Sequence, residues 1–259
     1  MRDVIQLLHV LGIGIWRTFL EWLAWRAFLF TMVINQAVTP LMGLAVWSVA
    51  LPGSTRISTY YVALLAVQLM TVSYEHHTFS NGIYAGALNH DLLRPQPVVM
   101  GPLGANIALR IWHLLVGLPL IIIAAIVSGV SFDLRAILLA IPSLVLAAVL
   151  RFLFTYLLAL SAFWTEQAHG VVGFGETLIF LLGGSAAPVT LFPTSIRPLG
   201  ESLPFQSMLG FPAAIAGSSL SAMEILAGYG WQMLWIAVFV LLVVFVWRSG
   251  VRRYTAIGG

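Results

Sequence analysis

The chain has 259 residues, of which 60% are hydrophobic and only 8% charged, with a mean hydropathy of +0.99. Soluble domains carry roughly a quarter charged residues, so this chain has too few to cover a water-facing surface, and a bilayer must be its solvent. The net charge of +3 rests on twelve arginines without a single lysine, scattered and with no aromatic platform between them; this excludes a nucleic-acid interface and reads as membrane topology.

At roughly 20 apolar residues per crossing, the length accommodates one all-α, polytopic domain over residues 1–259 with about six transmembrane helices. No room is left for a separate soluble domain, so any nucleotide hydrolysis is expected on another chain. Cysteine is absent, which removes disulfides and thiolate metal sites from consideration.

Residues 2–26 read as an amphipathic helix. Arg2, Gln6, His9, Arg17 and Glu21 form a loose stripe, and Trp16, Trp22 and Trp25 suit the headgroup level. Such a helix is expected to lie in the membrane plane. The first long apolar run begins near Phe28 and reads as a retained span rather than a cleaved signal. Spans are expected at about 27–51, 57–79, 102–130, 136–164, 171–192 and 225–247. Asn35, Gln36, Thr39 and Pro40 interrupt the first and should face neighbouring helices, because lipid offers them no partners.

Residues 81–100 are the longest passage in the first two thirds of the chain without a membrane-length apolar run. Within them, Ala87, Leu88, Asn89, His90, Asp91, Leu92, Leu93 and Arg94 form a short amphipathic segment stopped by Pro95 and Pro97. Helical spacing puts Leu88, Leu92 and Leu93 on one face and Asn89, Asp91 and Arg94 elsewhere. A short, sharply ended helix between two spans is something a partner protein could push on.

Residues 192–223 set Pro193, Pro198, Pro204 and Pro212 among many apolar side chains. This composition predicts short broken helices folding back on the membrane, tolerated where they are buried in protein or line a cavity. Orientation follows from the arginines. With the N-terminus inside, Arg2, Arg17, Arg26, Arg94, Arg248, Arg252 and Arg253 are cytoplasmic or nearly so, and Arg56, Arg135 and Arg197 are outside. The positive-inside rule therefore places both termini, and residues 81–100, in the cytoplasm.

In this order the residues resemble the permease subunit of type-two ABC exporters, in the branch of ABC-2 family transporter proteins. The resemblance covers essentially the whole chain. It rests on the N-terminal helix, Gly86-Ala87-Leu88 with Leu92-Leu93-Arg94-Pro95, and Phe163-Trp164-Thr165-Glu166. It continues through Gly183-Gly184-Ser185-Ala186-Ala187-Pro188, Val189 to Pro193, and Leu203-Pro204-Phe205. It implies that residues 86–97 are a cytosolic coupling helix docking on an ATPase subunit, and that the segments around Pro188 and Pro204 are external re-entrant helices. It further implies a bacterial inner-membrane protein paired with a second permease, identical or related, and with two ABC ATPase subunits. ATP and magnesium would then sit on the partner, with no cofactor on this chain. The function implied is export of a hydrophobic or amphipathic compound by alternating access. Asn35, Gln36, Thr39, Gln68 and Thr71 are the candidates for the pathway.

Four charges fall within or at the ends of spans. Arg151, near the middle of the fourth, needs a partner or water, since an unpaired ion there costs at least about 2.5–3.5 kcal/mol. Glu176 is the carboxylate nearest in sequence that could reach it, and Glu75 with Arg110 could form a second bridge. His76 and His77, with His90, invite a metal reading. Adjacent histidines on a helix diverge by about 100° and make no pincer, so no metal site is expected. No phosphate loop or nucleophile elbow occurs in the sequence. Two rivals are an ion-coupled secondary carrier and a membrane lipid-modifying enzyme. The first would need buried acids on several spans, and the second a usable Asp or His cluster.

Overall fold

The computed structural model describes residues 2–165, 169–217 and 220–254, which form twelve α-helices and no strand. They are α1 (Arg2–Ala24), α2 (Arg26–Ala50), α3 (Thr55–Met70), α4 (Glu75–Tyr84), α5 (Leu88–Leu92) and α6 (Met100–Val127). There follow α7 (Leu134–Leu160), α8 (His169–Leu182), α9 (Arg197–Ser202), α10 (Pro204–Met208), α11 (Gly210–Ala216) and α12 (Ala222–Val251). Glu166, the end of one motif quoted above, lies outside the described residues, as do residues 218–219 of the proline-rich passage.

Six helical stretches are long and apolar enough to cross a membrane: Ile5–Ala24, Arg26–Ala50, Thr55–Tyr84, Met100–Val127, Leu134–Phe163 and Ala222–Val251. The expected number is met, by a different set. The N-terminal helix qualifies by length and composition. The helix expected over 171–192 is regular for only 14 residues. Its end is local chemistry: Gly184 adopts φ +88°, a left-handed conformation that side chains resist, and Pro188 follows.

The long helices α2, α6, α7 and α12 are apolar nearly all round, as lipid requires, and small residues set their closest approaches. A Cβ at Gly43 of α2 would run into the ring of Tyr61 on α3. The main contacts pair α12 with α7, α1 with α6, and α2 with α3. Trp112 Nε1 of α6 donates to the Phe19 carbonyl of α1 at 3.0 Å, and the two rings stack at 4.5 Å.

Of the short helices of the proline-rich passage, α10 and α11 are buried almost throughout, whereas α9 is largely exposed. Phe205, Met208, Leu209, Phe211, Ala213 and Ile215 are all buried, and α10 and α11 pack on α3, α7, α8 and α12. The non-helical backbone after α8 is satisfied by aromatic donors. Tyr60 Oη donates to the Gly184 carbonyl at 3.0 Å, and Trp47 Nε1 to that of Ala186 at 3.0 Å. A broken backbone at this depth is thus covered by protein, which is the condition under which a membrane tolerates it.

Candidate functional site

The site begins where the second expected span fails to be continuous. Helix α3 stops at Met70, α4 starts at Glu75, and residues 71–74 between them are not helical. A helix end leaves carbonyls without partners, and in an apolar surrounding each must find a donor. Here Arg110 of α6 supplies them. Its Nε donates to the Val72 carbonyl at 3.0 Å, and its Nη2 reaches the Thr71 carbonyl (3.3 Å), Ser73 Oγ (3.0 Å) and the Ala148 carbonyl of α7 (2.8 Å). Asn106, one turn earlier on α6, adds donations to the Val72 carbonyl and Ser73 Oγ.

Around this staple lies a chain of polar side chains from four helices. Arg151 of α7, buried, donates from Nη1 to Gln68 Oε1 (3.2 Å) and Thr71 Oγ1 (3.1 Å). Gln68 Nε2 donates to Gln36 Oε1 of α2 (2.8 Å), and Gln36 Nε2 to Tyr74 Oη (2.7 Å). Glu75, 3% exposed, accepts from the Thr155 hydroxyl at 2.7 Å.

Neither expected ion pair forms within 4 Å among the described residues. Arg151 is held by an amide and a hydroxyl, while Glu176 contacts His76 Nε2 at 3.0 Å. Arg110 takes carbonyls, while Glu75 takes Thr155. The reason is that a broken helix offers more acceptors at close range than the few carboxylates do.

Of the five candidate pathway residues, Gln36, Gln68 and Thr71 are joined in this network. Thr39 is half-buried one turn further along α2. Asn35 turns to another cleft of about 400 Å³, beside Trp22, Phe28 and Tyr74. The sequence reading missed Ser73, Tyr74, Asn106 and Thr155. The polar run Thr71, Ser73, Tyr74, Glu75, His76, His77, Thr78, unusual beside an apolar span, was the signal that could have found Ser73 and Tyr74.

Helix α4 connects this cluster to α5. The turn between them needs Gly86, at φ +75°. Leu88 is buried against Phe79, Ile83, Phe152 and Tyr156, whereas Leu92 is 41% and Leu93 85% exposed. The three leucines therefore do not share a face, because α5 lasts only five residues and Leu93 is its C-cap. Asp91 and Arg94 pair across the helix at 3.4 Å. Ala87, Leu88, Asp91 and Arg94 line one side of a cleft of about 670 Å³, whose other side includes Arg17, Glu21 and Trp25 of the N-terminal segment. The helix ends at Leu92, three residues before Pro95.

The arrangement joins an exposed short helix at one end, a helix of ten residues, and a clamped break at the other. No curated protein and no solved structure matches the chain. A family model for the ABC-2 family transporter protein matches residues 22–258. With six helices fit to cross a bilayer and a match over nearly its whole length, the chain belongs to the ABC-2 transporter family and is a multi-pass membrane protein.

Proposed function

We propose that this chain is the permease subunit of an ATP-driven exporter and that α5 is where an ABC ATPase delivers force. ABC-2 permeases generally work with ABC ATPase partners, and the observation that carries the reading is the exposure of Leu92 and Leu93 on a short, rigidly ended helix. Two exposed leucines beside an ion pair make a small docking face with an apolar anchor. The ATP and its magnesium belong to the partner, and this chain binds neither. A second permease, identical or related, completes the pathway.

Displacement of α5 tilts α4, since Leu88 is packed into the same cluster as Phe79 and Ile83. The opposite end of α4 begins at the break held by Arg110 and carries Glu75, bonded to Thr155 on α7. Motion at the docking face is thereby converted into rearrangement of the network of Gln36, Gln68, Thr71 and Arg151. This network supplies the polar part of the pathway for an amphipathic cargo, and the apolar helices supply its walls. In this reading the N-terminal helix, although long and apolar enough to cross, lies along the cytoplasmic interface and steadies the other side of the α5 cleft. The helices α9 to α11 form the re-entrant outer gate.

The test is recovery of the tagged full chain from its native membranes. The wild-type chain brings down an ABC ATPase, and Leu93→Glu loses it while still inserting and eluting as a folded protein. Equal recovery of the ATPase by both chains ends the proposal. Transport by the lone chain driven by a pH gradient supports the carrier instead. Among the described residues Glu75 is the buried carboxylate, fewer than a carrier with acids on several spans requires.

A further inference from the structure

His76 and His77 open α4 directly after the unwound residues 71–74. Their neighbouring positions argue against a shared ligand on a regular helix. In the fold, however, the two rings lie with centroids 4.2 Å apart, tilted by 50°. Glu176 of α8 approaches His76, with Oε1 3.0 Å from its Nε2. One ligating atom from each of the three residues lies within 4.8 Å of the other two. A cavity of about 180 Å³ opens onto all three, with Ser80, Asn81 and Gly173 on its walls.

A second observation points the same way. His76 is 4% exposed, and its buried Nδ1 has no hydrogen-bond partner. Buried polar atoms are normally satisfied. Glu176 Oε1 holds the Nε2 proton in the ion-free site, so an ion entering there displaces that proton, and Nδ1, which has no partner among the described residues, is able to carry it.

We propose that His76, His77 and Glu176 form a binding site for a divalent transition-metal ion of the zinc class, which ties α4 to α8. Two imidazoles and one carboxylate suit zinc and its neighbours, not magnesium or calcium, which demand an oxygen shell. In a tetrahedral site with bonds of about 2.0–2.1 Å, ligands stand about 3.3 Å apart. Closing from 4.8 Å therefore asks for side-chain shifts of no more than about 1.5 Å. The cavity leaves space for a water as fourth ligand. An ion here joins the rod that moves with α5 to the short helix α8, and so restrains the motion assigned to the docking face. Ion binding itself is independent of that assignment.

The test uses the full chain in detergent micelles, carried on a tag without histidine, stripped with chelator and equilibrated with zinc chloride before gel filtration. About one zinc per chain is expected, with X-ray absorption showing imidazole nitrogens and a carboxylate oxygen at bonding distance. Zinc, but not magnesium, should raise the melting temperature, because it binds the folded state. The double variant His77→Ala, Glu176→Gln should lose the ion and the zinc-dependent stabilisation. Both of those side chains are substantially exposed, so its metal-free melting and elution should match the wild type. Zinc retained by the double variant, or less than stoichiometric zinc in the wild type, overturns the proposal.

Discussion

At Arg110 one planar guanidinium meets acceptors from the unwound residues 71–74 and from α7. A lysine keeps the charge, but as a point donor it does not reproduce this fork. Arg110→Met should strand the Thr71 carbonyl and leave the Val72 and Ser73 oxygens to Asn106 alone, at about 1–3 kcal/mol for each group stranded. Arg110→Lys should fall between it and the wild type. Arg151 contacts two side chains that retain other bonds, so Arg151→Met should cost less stability than Arg110→Met, yet uncouple ATP hydrolysis from export. Thermal unfolding of the purified variants, with hydrolysis and transport measured on the reconstituted complex, checks this ranking. The sequence marked both arginines as groups that must find partners, and this is correct. It matched charge to charge, whereas Arg110 takes carbonyls freed by a helix break, invisible in a list of side chains, and Arg151 takes the neutral side chains of Gln68 and Thr71.

The helix α5 illustrates how far periodicity reaches. Pro95, Pro97 and the change from apolar to polar residues made a short, stopped helix legible, and the structure has one over Leu88–Leu92. Its facing was not legible, since five residues are too few to impose a helical stripe. The break at 71–74 was missed for another reason: Thr71, Val72, Ser73 and Tyr74 include neither glycine nor proline. The break survives because Arg110 and Asn106, thirty-odd residues away in sequence, supply donors. The turn into α5 does carry a local signal in Gly86. Gly86→Val puts a branched side chain into a left-handed conformation, at a cost of at least about 1–2 kcal/mol. Since Gly86 has open space around it, relief should come by shifting α5. Export should therefore drop severalfold more than overall stability, as read by transport and melting of the same preparation.

For the molecule as a whole, the distribution of arginines supports the proposed orientation. Seven lie at or near the proposed inner side and three outside. Because the chain has no cysteine, single cysteines introduced at Gln96 and Thr194 report without background. An impermeant maleimide added to intact cells should label Thr194→Cys and spare Gln96→Cys, and inside-out vesicles should reverse the result. Membrane residence, helix number and the disorder of α-helical order after Phe192 were readable from composition and proline placement. The true extent of α8 was not, because residues 183–192 stay apolar after the helix has ended. A 14-residue helix is about 21 Å long, against about 30 Å of hydrocarbon. Where its neighbours run the full depth, α8 leaves about a third of that distance to peptide bonds whose oxygens are quieted by Tyr60 and Trp47. The depth at this corner is therefore completed by covered, irregular backbone rather than by helix.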